Sequence, residues 1–105
     1  MSQILVVDDD PALHQLIEAA LAADGHQLVS ASSGEQGLEL LSHEPVELAL
    51  IDYLLPGMDG LEFLERVQQL QPHPVCVMMT AYGTPDTVLG ALRKHVQDFL
   101  VKPFS

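Results

Sequence analysis

The segment ILVVDDD, residues 4–10, joins four aliphatic residues to three consecutive carboxylates. An apolar run without polar interruption is typical of a strand buried on both faces, as in parallel sheets covered by helices. Two like charges about 4 Å apart repel each other by about 4 kcal/mol at an effective dielectric constant of about 20. A buried strand that ends in Asp8, Asp9 and Asp10 therefore indicates a cationic partner that offsets this repulsion.

Four further short apolar runs follow, and helical patterns alternate with them. The strands are predicted at residues 4–8, 27–31, 48–52, 75–80 and 98–101, and the helices at 11–25, 34–42, 60–69 and after Thr84. Such alternation predicts a parallel sheet with right-handed crossovers. The predicted fold class is α/β: a doubly wound, flavodoxin-like sheet of five parallel strands in the order 2-1-3-4-5, with helices on both faces. We expect one domain over residues 1–105 that stops before a fifth helix.

Polar residues predict where three of the helices begin. Asp10 is expected to cap the first helix, with proline next, and Ser33 with Gln36 resembles a capping box. Thr84 is expected to cap the last helix, again with proline next. Apolar spacing predicts that the first helix has an inward face made of Leu13, Leu16, Ile17, Ala20 and Leu21.

The composition limits the function classes. Fifteen acidic residues against four basic ones give a formal net charge of −11, which opposes direct nucleic-acid binding and adsorption to an anionic membrane. Neither a membrane span nor a signal peptide is indicated, so we expect a cytoplasmic protein. The single cysteine, Cys76, is expected to be a buried thiol. The five histidines, His14 among them, have no metal-ligand spacing and are expected on the surface.

The acidic residues are expected to meet at one edge of the sheet. Asp8 and Asp9 follow the first strand, Asp52 ends the third, and these strands are neighbours in the predicted order. In open α/β sheets, ligands bind beyond the carboxyl ends of the strands, where the strand order reverses. Hard carboxylate oxygens suit Mg²⁺, which binds few carboxylates and retains waters. The sequence therefore predicts a magnesium site at this edge, with Asp10 serving only as a helix cap.

Five segments resemble the receiver domain of two-component response regulators, which has the CheY-like fold. VVDDD (6–10) resembles the acidic pair after strand one, and LIDYLLPGMDG (50–60) resembles the phosphoacceptor strand and its Pro-Gly loop. MMTAYG (78–83) resembles the threonine of strand four followed by a small residue. Phe99 matches the aromatic switch position, and VKPF (101–104) resembles the Lys-Pro after strand five. The resemblance covers the whole chain and lacks only the last helix.

The resemblance implies a role for each acidic residue. Asp52 is the nucleophile, because a carboxylate can accept a phosphoryl group as a mixed anhydride. Asp9, Asp52 and the main-chain carbonyl of Leu54 bind Mg²⁺ directly, and Mn²⁺ is an alternative ion. Asp8 holds the ion through water.

The resemblance also implies how phosphorylation changes the surface. Thr80 bonds a phosphoryl oxygen, Lys102 pairs with the phosphoryl group, and the Lys102–Pro103 peptide is expected to be cis. When Thr80 turns toward the phosphoryl group, Phe99 enters the space behind it. Local charge thereby changes the packing at the face of the fourth helix and fifth strand.

The implied function is a phosphorylation switch. A sensor histidine kinase or phosphotransfer protein donates the phosphoryl group, and the altered face controls an output domain or partner, or forms a homodimer. The reaction is the chain's own Mg²⁺-dependent phosphorylation and slow dephosphorylation, so it is not expected to be an enzyme. Leu54 and Tyr82 are expected to tune the lifetime, and Leu54 offers no hydrogen bond to an attacking water. Met58, at the loop tip, is expected to be exposed and to contact a partner.

Three other functions stay open on the sequence. A phosphatase of the haloacid-dehalogenase type would use Asp52 but carries a second aspartate where this chain has Leu54. A flavin-binding domain of similar topology needs a phosphate-cradling loop, where DDDPA (8–12) is anionic. A pseudo-receiver used only for binding does not need the complete acidic set.

Overall fold

A computed structural model describes residues 3–55, 57–58, 60–70, 72–81 and 84–102, with Ala81 and Lys102 described by their backbone alone. Strands and helices alternate along the chain in the order β1 (Gln3–Val7), α1 (Pro11–Ala22), β2 (Gln27–Ala31), α2 (Gly34–Leu41), β3 (Leu48–Asp52), α3 (Gly60–Val67), β4 (Val75–Ala81), α4 (Asp86–Arg93) and β5 (Asp98–Lys102). The five strands form one parallel sheet in the order β2-β1-β3-β4-β5. The predicted fold class and strand order are confirmed.

Two of the predicted helix starts are confirmed by their hydrogen bonds. The Asp10 carboxylate accepts the N–H of Ala12 at 3.0 Å at the start of α1. The Ser33 hydroxyl accepts the N–H of Gln36 at 3.2 Å at the start of α2. Each bond satisfies a backbone donor that the first turn of a helix leaves without a partner.

The predicted start of the last helix is wrong by one residue. Pro85, rather than Thr84, occupies the cap position of α4, and its carbonyl accepts the N–H groups of Val88 and Leu89. Proline has extended backbone angles there, with φ −60° and ψ 145°, and offers no side-chain cap. The proline ring suits both the cap and the first helical position, which is why the sequence pattern does not separate them.

The sheet separates two apolar clusters. Leu5 and Val7 of β1 face the larger one, which α2, α3 and α4 cover, whereas Val6 faces the smaller one under α1. Cys76 is 5% exposed in the larger cluster, and burial raises the pKa of its thiol from 9.0 to about 11. The predicted buried cysteine is confirmed, and the helices lie on both faces as expected.

The predicted inward face of α1 is only partly correct. Ile17 is buried and Leu13 and Leu21 pack beside it, but Leu16 is 55% exposed and Ala20 is exposed as well. A helix about 10 Å wide covers about half of a sheet whose five strands span about 19 Å. Among the described residues, α1 is the only helix on this face, and no other described element covers Leu16.

No helix in the described part of the chain is both long enough and apolar enough to cross a lipid bilayer.

Candidate metal and phosphoryl site

Two adjacent strands deliver three carboxylates to one point. Val7 at the end of β1 pairs with Ile51 of β3, so Asp8 and Asp52 leave the sheet side by side. Asp8, Asp9 and Asp52 each place one carboxylate oxygen within 4.8 Å of the others. Asp8 is fully buried, Asp52 is 9% exposed and Asp9 is exposed. The predicted meeting of the three side chains at the carboxyl edge is therefore confirmed.

The protein fixes Asp8 through each of its polar groups. Its N–H donates to the carbonyl of Ala31 at 3.0 Å, which ties it to the end of β2. Its carboxylate accepts the N–H of Asp10 at 2.9 Å. Its carbonyl lies 2.6 Å from Nε2 of His14. A buried carboxylate held in this way is positioned by the fold before any ion binds.

His14 is the site residue that sequence reasoning missed. It was expected on the surface, but it is half-buried and its ring reaches back to the strand that precedes its helix. Its place four residues after the cap Asp10 puts it in the first full turn of α1, near the end of β1. The sequence places His14 in the first turn of the helix, but only the folded structure shows that its ring contacts the carbonyl of Asp8.

Asp52 organises the chain that follows β3. Its Oδ1 accepts the N–H of Leu54 at 3.2 Å, and the Leu54 side chain is 68% exposed. The N–H of Tyr53 donates to the carbonyl of Met79 at 3.0 Å, and the N–H of Gly60 donates to that of Tyr53 at 3.1 Å. These bonds hold the backbone beside the acidic cluster, and the role of the Leu54 carbonyl as a ligand stays a prediction.

The predicted exposure of Met58 is wrong. Met58 is 4% exposed and belongs to the larger core, where it packs against the start of α2. A Cβ on Gly34 would lie 2.9 Å from the Met58 sulfur, so the glycine provides the space that the methionine fills. Gly57 precedes it with φ +81°, a conformation that favours glycine. Pro56, in the same loop, lies outside the described residues.

Thr80 and Phe99 occupy the neighbouring strands. Thr80 is 3% exposed and follows Met79, the register partner of Asp52. Val101 pairs with Thr80 across β4 and β5. Phe99 is half-buried against the larger core, and the guanidinium of Arg93 lies 5.8 Å from its ring centroid.

Three predicted site features fall outside the described part of the chain. Tyr82 and Pro103 lie outside the described residues, and so does the predicted cis peptide before Pro103. The backbone of Lys102 pairs with that of Ala81 at the carboxyl edge of the sheet, but its side chain is not described. The position of the lysine in β5 is therefore known, whereas its contact with a phosphoryl group stays a prediction.

The donor set fits a small hard cation. Mg²⁺ binds oxygen ligands octahedrally at about 2.1 Å, so adjacent ligands lie about 3 Å apart and opposite ones about 4.2 Å. Separations within 4.8 Å between the carboxylate oxygens are on the scale of these ligand spacings. The exposed Asp9 leaves one side of the cluster open to solvent, as an ion that retains waters requires.

Comparison with known proteins agrees with this geometry. The family model of the response regulator receiver domain matches residues 4–105. The chain belongs to the response regulator receiver family. Response regulators are components of two-component systems. The strand order β2-β1-β3-β4-β5 and the superposition on solved receiver domains identify the fold as the CheY-like receiver fold.

Individual receiver proteins are similar over nearly the whole chain. The response regulator protein FleR of Pseudomonas aeruginosa is 38% identical over 103 residues, which are 98% of this chain and 22% of FleR. The transcriptional regulatory protein CpxR of Escherichia coli is 39% identical over 106 residues, 100% of this chain and 44% of CpxR. A CheY-like receiver domain protein of Methanospirillum hungatei superposes with a TM-score of 0.86 at 31% identity, covering 99% of this chain and 84% of that one. The chain thus spans less than half of the curated relatives it matches.

Proposed function

We propose that Asp52 accepts a phosphoryl group from a sensor histidine kinase or a phosphotransfer protein of the cytoplasm. The observation that supports this is the approach of Asp8, Asp9 and Asp52 to within 4.8 Å at the carboxyl edge of the sheet. An isolated surface aspartate would have no means of neutralising the incoming phosphoryl charge. A carboxylate beside two others that share a cation has that means.

The proposed roles divide the site between binding and transfer. Asp9, Asp52 and the carbonyl of Leu54 would hold Mg²⁺, with Asp8 acting through water. The bound ion supplies positive charge to the phosphoryl oxygens. Asp52 attacks phosphorus with one carboxylate oxygen, and the donor leaves as its free imidazole or, for acetyl phosphate, as acetate. Positioning and charge are the main requirements of such a transfer.

Two residues of adjacent strands are proposed to bind the phosphoryl group once it is on Asp52. The hydroxyl of Thr80, at the end of β4, bonds the new phosphoryl group, and the Lys102 ammonium pairs with it. Phe99 then moves into the space behind Thr80. Arg93 stacks on Phe99 and Val101 is 51% exposed, so this movement changes the surface of α4 and β5. That surface is proposed to control an output domain or partner, or to pair two copies of the chain.

The proposed reaction is stoichiometric rather than catalytic. Each chain transfers one phosphoryl group to its own Asp52 and loses it slowly to water. A hydrolase acting on separate phosphate esters would turn over many times. The relatives named above include a transcriptional regulatory protein, and control of transcription by attached segments is part of this proposal for the longer protein.

Phosphorylation can be tested with a small-molecule donor. Acetyl phosphate with Mg²⁺ should add the mass of one phosphoryl group to the intact chain, and Asp52→Asn should abolish the addition. Asp10→Asn is the matched control, because Asp10 is exposed, lies outside the cluster and can be replaced by another good cap residue. Equal labelling of Asp52→Asn and wild type would contradict the proposal. No labelling of the wild type by acetyl phosphate or kinase would identify a binding-only receiver.

A further inference from the structure

A histidine outside the acidic cluster contacts its most buried member. Nε2 of His14 lies 2.6 Å from the carbonyl oxygen of Asp8. A carbonyl oxygen can only accept, so Nε2 must carry the proton and donate. The bond crosses from the first turns of α1 to the end of β1 and joins the two elements that flank the acidic cluster.

The contact falls on the peptide unit that connects two of the proposed ligands. The carbonyl of Asp8 belongs to the peptide group that leads into Asp9. Fixing this oxygen fixes the plane of that peptide and with it the position of the Asp9 Cα, from which the Asp9 side chain extends. Asp8 is held at its N–H and its carboxylate by Ala31 and Asp10, whereas Asp9 is exposed.

Packing alone does not explain why a histidine occupies position 14. Nδ1 of His14 is buried and has no hydrogen-bond partner among the described residues. A buried polar atom without a partner destabilises the fold, and an aliphatic side chain of similar length would avoid that cost. The donor at Nε2 is therefore the property that distinguishes histidine here from an apolar residue.

We infer that His14 is a positioning residue for the cation site: its Nε2–H orients the Asp8–Asp9 peptide so that the Asp9 carboxylate points at Asp52. This inference rests on the proposed function, because it concerns how the same site holds Mg²⁺. When a residue that orients metal ligands through hydrogen bonds is removed, the affinity for the metal commonly falls by about 10- to 100-fold. His14 acts through Asp9 and touches neither the ion nor the phosphoryl group.

The test measures Mg²⁺ binding directly by isothermal titration calorimetry on the intact chain. His14→Met keeps the length of the side chain and removes the donor, and it should weaken binding about tenfold. His14→Gln places an amide N–H near the position of Nε2 and should bind close to the wild-type value. Thermal unfolding in EDTA measures the stability of the two variants without the ion. A purely structural role of His14 would lower this stability and leave the Mg²⁺ affinity of the folded protein unchanged.

A second substitution keeps the inference testable if His14→Met does not fold. His14→Asn retains a polar amide but ends short of the Asp8 carbonyl, so it should also weaken Mg²⁺ binding. Wild-type affinity in His14→Met or His14→Asn would overturn the positioning role while leaving phosphorylation of Asp52 intact. Absence of Mg²⁺ binding and of labelling in the wild type would instead overturn the proposed function, and the positioning role with it.

Discussion

The two edges of the sheet differ in shape and in chemistry. At the amino edge lies an open groove of about 990 Å³, lined by Gln3, Glu44, Glu47 and Val75 among others. At the carboxyl edge, Asp8, Asp9 and Asp52 each place a carboxylate oxygen within 4.8 Å of the others. Among the described residues, no group of three or more histidine, cysteine, aspartate or glutamate side chains converges at the amino edge. In this molecule, converging carboxylates rather than cavity volume indicate the proposed site, because the carboxyl ends of all parallel strands lie at the same edge of the sheet.

The largest expected effect is the loss of stabilisation by Mg²⁺ when a ligand at the carboxyl edge is removed. At a hundred times its dissociation constant, a ligand raises the free energy of unfolding by about 2.7 kcal/mol. Asp9→Ala should lose most of this gain, yet be slightly more stable than wild type in EDTA because repulsion is relieved. Thermal unfolding with and without Mg²⁺ measures both effects.

Glu44→Gln is the matched control at the amino edge. It also removes one negative charge, and the glutamine can still accept the hydrogen bond from Gln3. Its response to Mg²⁺ should equal that of the wild type. An equal loss in both variants would mean that Mg²⁺ acts on the overall charge of −11 and that the contrast between the edges has no chemical basis.

The next effect concerns the loop that follows Asp52. Gly34→Ala should destabilise the protein by about 1 kcal/mol, because the added Cβ would lie 2.9 Å from the Met58 sulfur, which can move, and 3.2 Å from the Met58 Cβ, which moves less easily. Gly90→Ala in α4 is the control, since nothing lies within 4 Å of the point that its new methyl group would occupy, and alanine should stabilise that helix by about 0.5–1 kcal/mol. Urea unfolding of the two variants gives the difference, and equal stabilities would contradict the close contact.

An effect that only alkaline pH reveals should appear near the amino end of β4. Burial raises the pKa of Cys76 from 9.0 to about 11, so within this interval the unfolded chain loses a proton that the folded chain keeps. The free energy of unfolding should then fall by about 1.4 kcal/mol per pH unit, whereas below pH 9.0 the thiol adds no slope. Cys76→Ala should lack this contribution in urea unfolding across the same pH range. Parallel pH profiles would show that the thiol does not titrate in this way.

The smallest expected effect is kinetic. Leu54 is 68% exposed beside Asp52 and offers no hydrogen bond to water that approaches the phosphorylated carboxylate. Leu54→Asn should speed the loss of phosphate a few-fold, which corresponds to less than about 1.4 kcal/mol in the barrier. Decay of the phosphorylated mass after removal of the donor measures the rate. If decay is no faster in the variant, Leu54 does not protect the bond.

Local sequence signals predicted most of the fold. Apolar runs gave the five strands, and the caps Asp10 and Ser33 gave the starts of two helices, because both depend on neighbours within a few residues. The acidic site followed from one further step, namely that β1 and β3 are adjacent. These features depend on the chain's local chemistry and on the strand order alone.

The errors at Leu16, Met58 and His14 have a different cause. Met58 is buried because Gly34, remote in sequence, lacks a Cβ. Leu16 stays uncovered where α1 packs on the sheet through Leu13, Ile17 and Leu21. His14 finds a backbone carbonyl, and a carbonyl carries no sequence signal. Each outcome depends on how two separate segments fit together in space, which neither periodicity nor composition records.

The first ten residues supply both the strand β1, which links β2 to the rest of the sheet, and two of the three clustered carboxylates. Although it comes first in the chain, β1 lies between β2 and β3, and in the described sheet β2 pairs with no other strand. A chain beginning after residue 10 would leave β2 isolated from β3, β4 and β5 and would lack two of the three clustered carboxylates. Trimming the N-terminus therefore cannot yield a folded but ion-insensitive version of this domain: architecture and cation response should vanish in a single step.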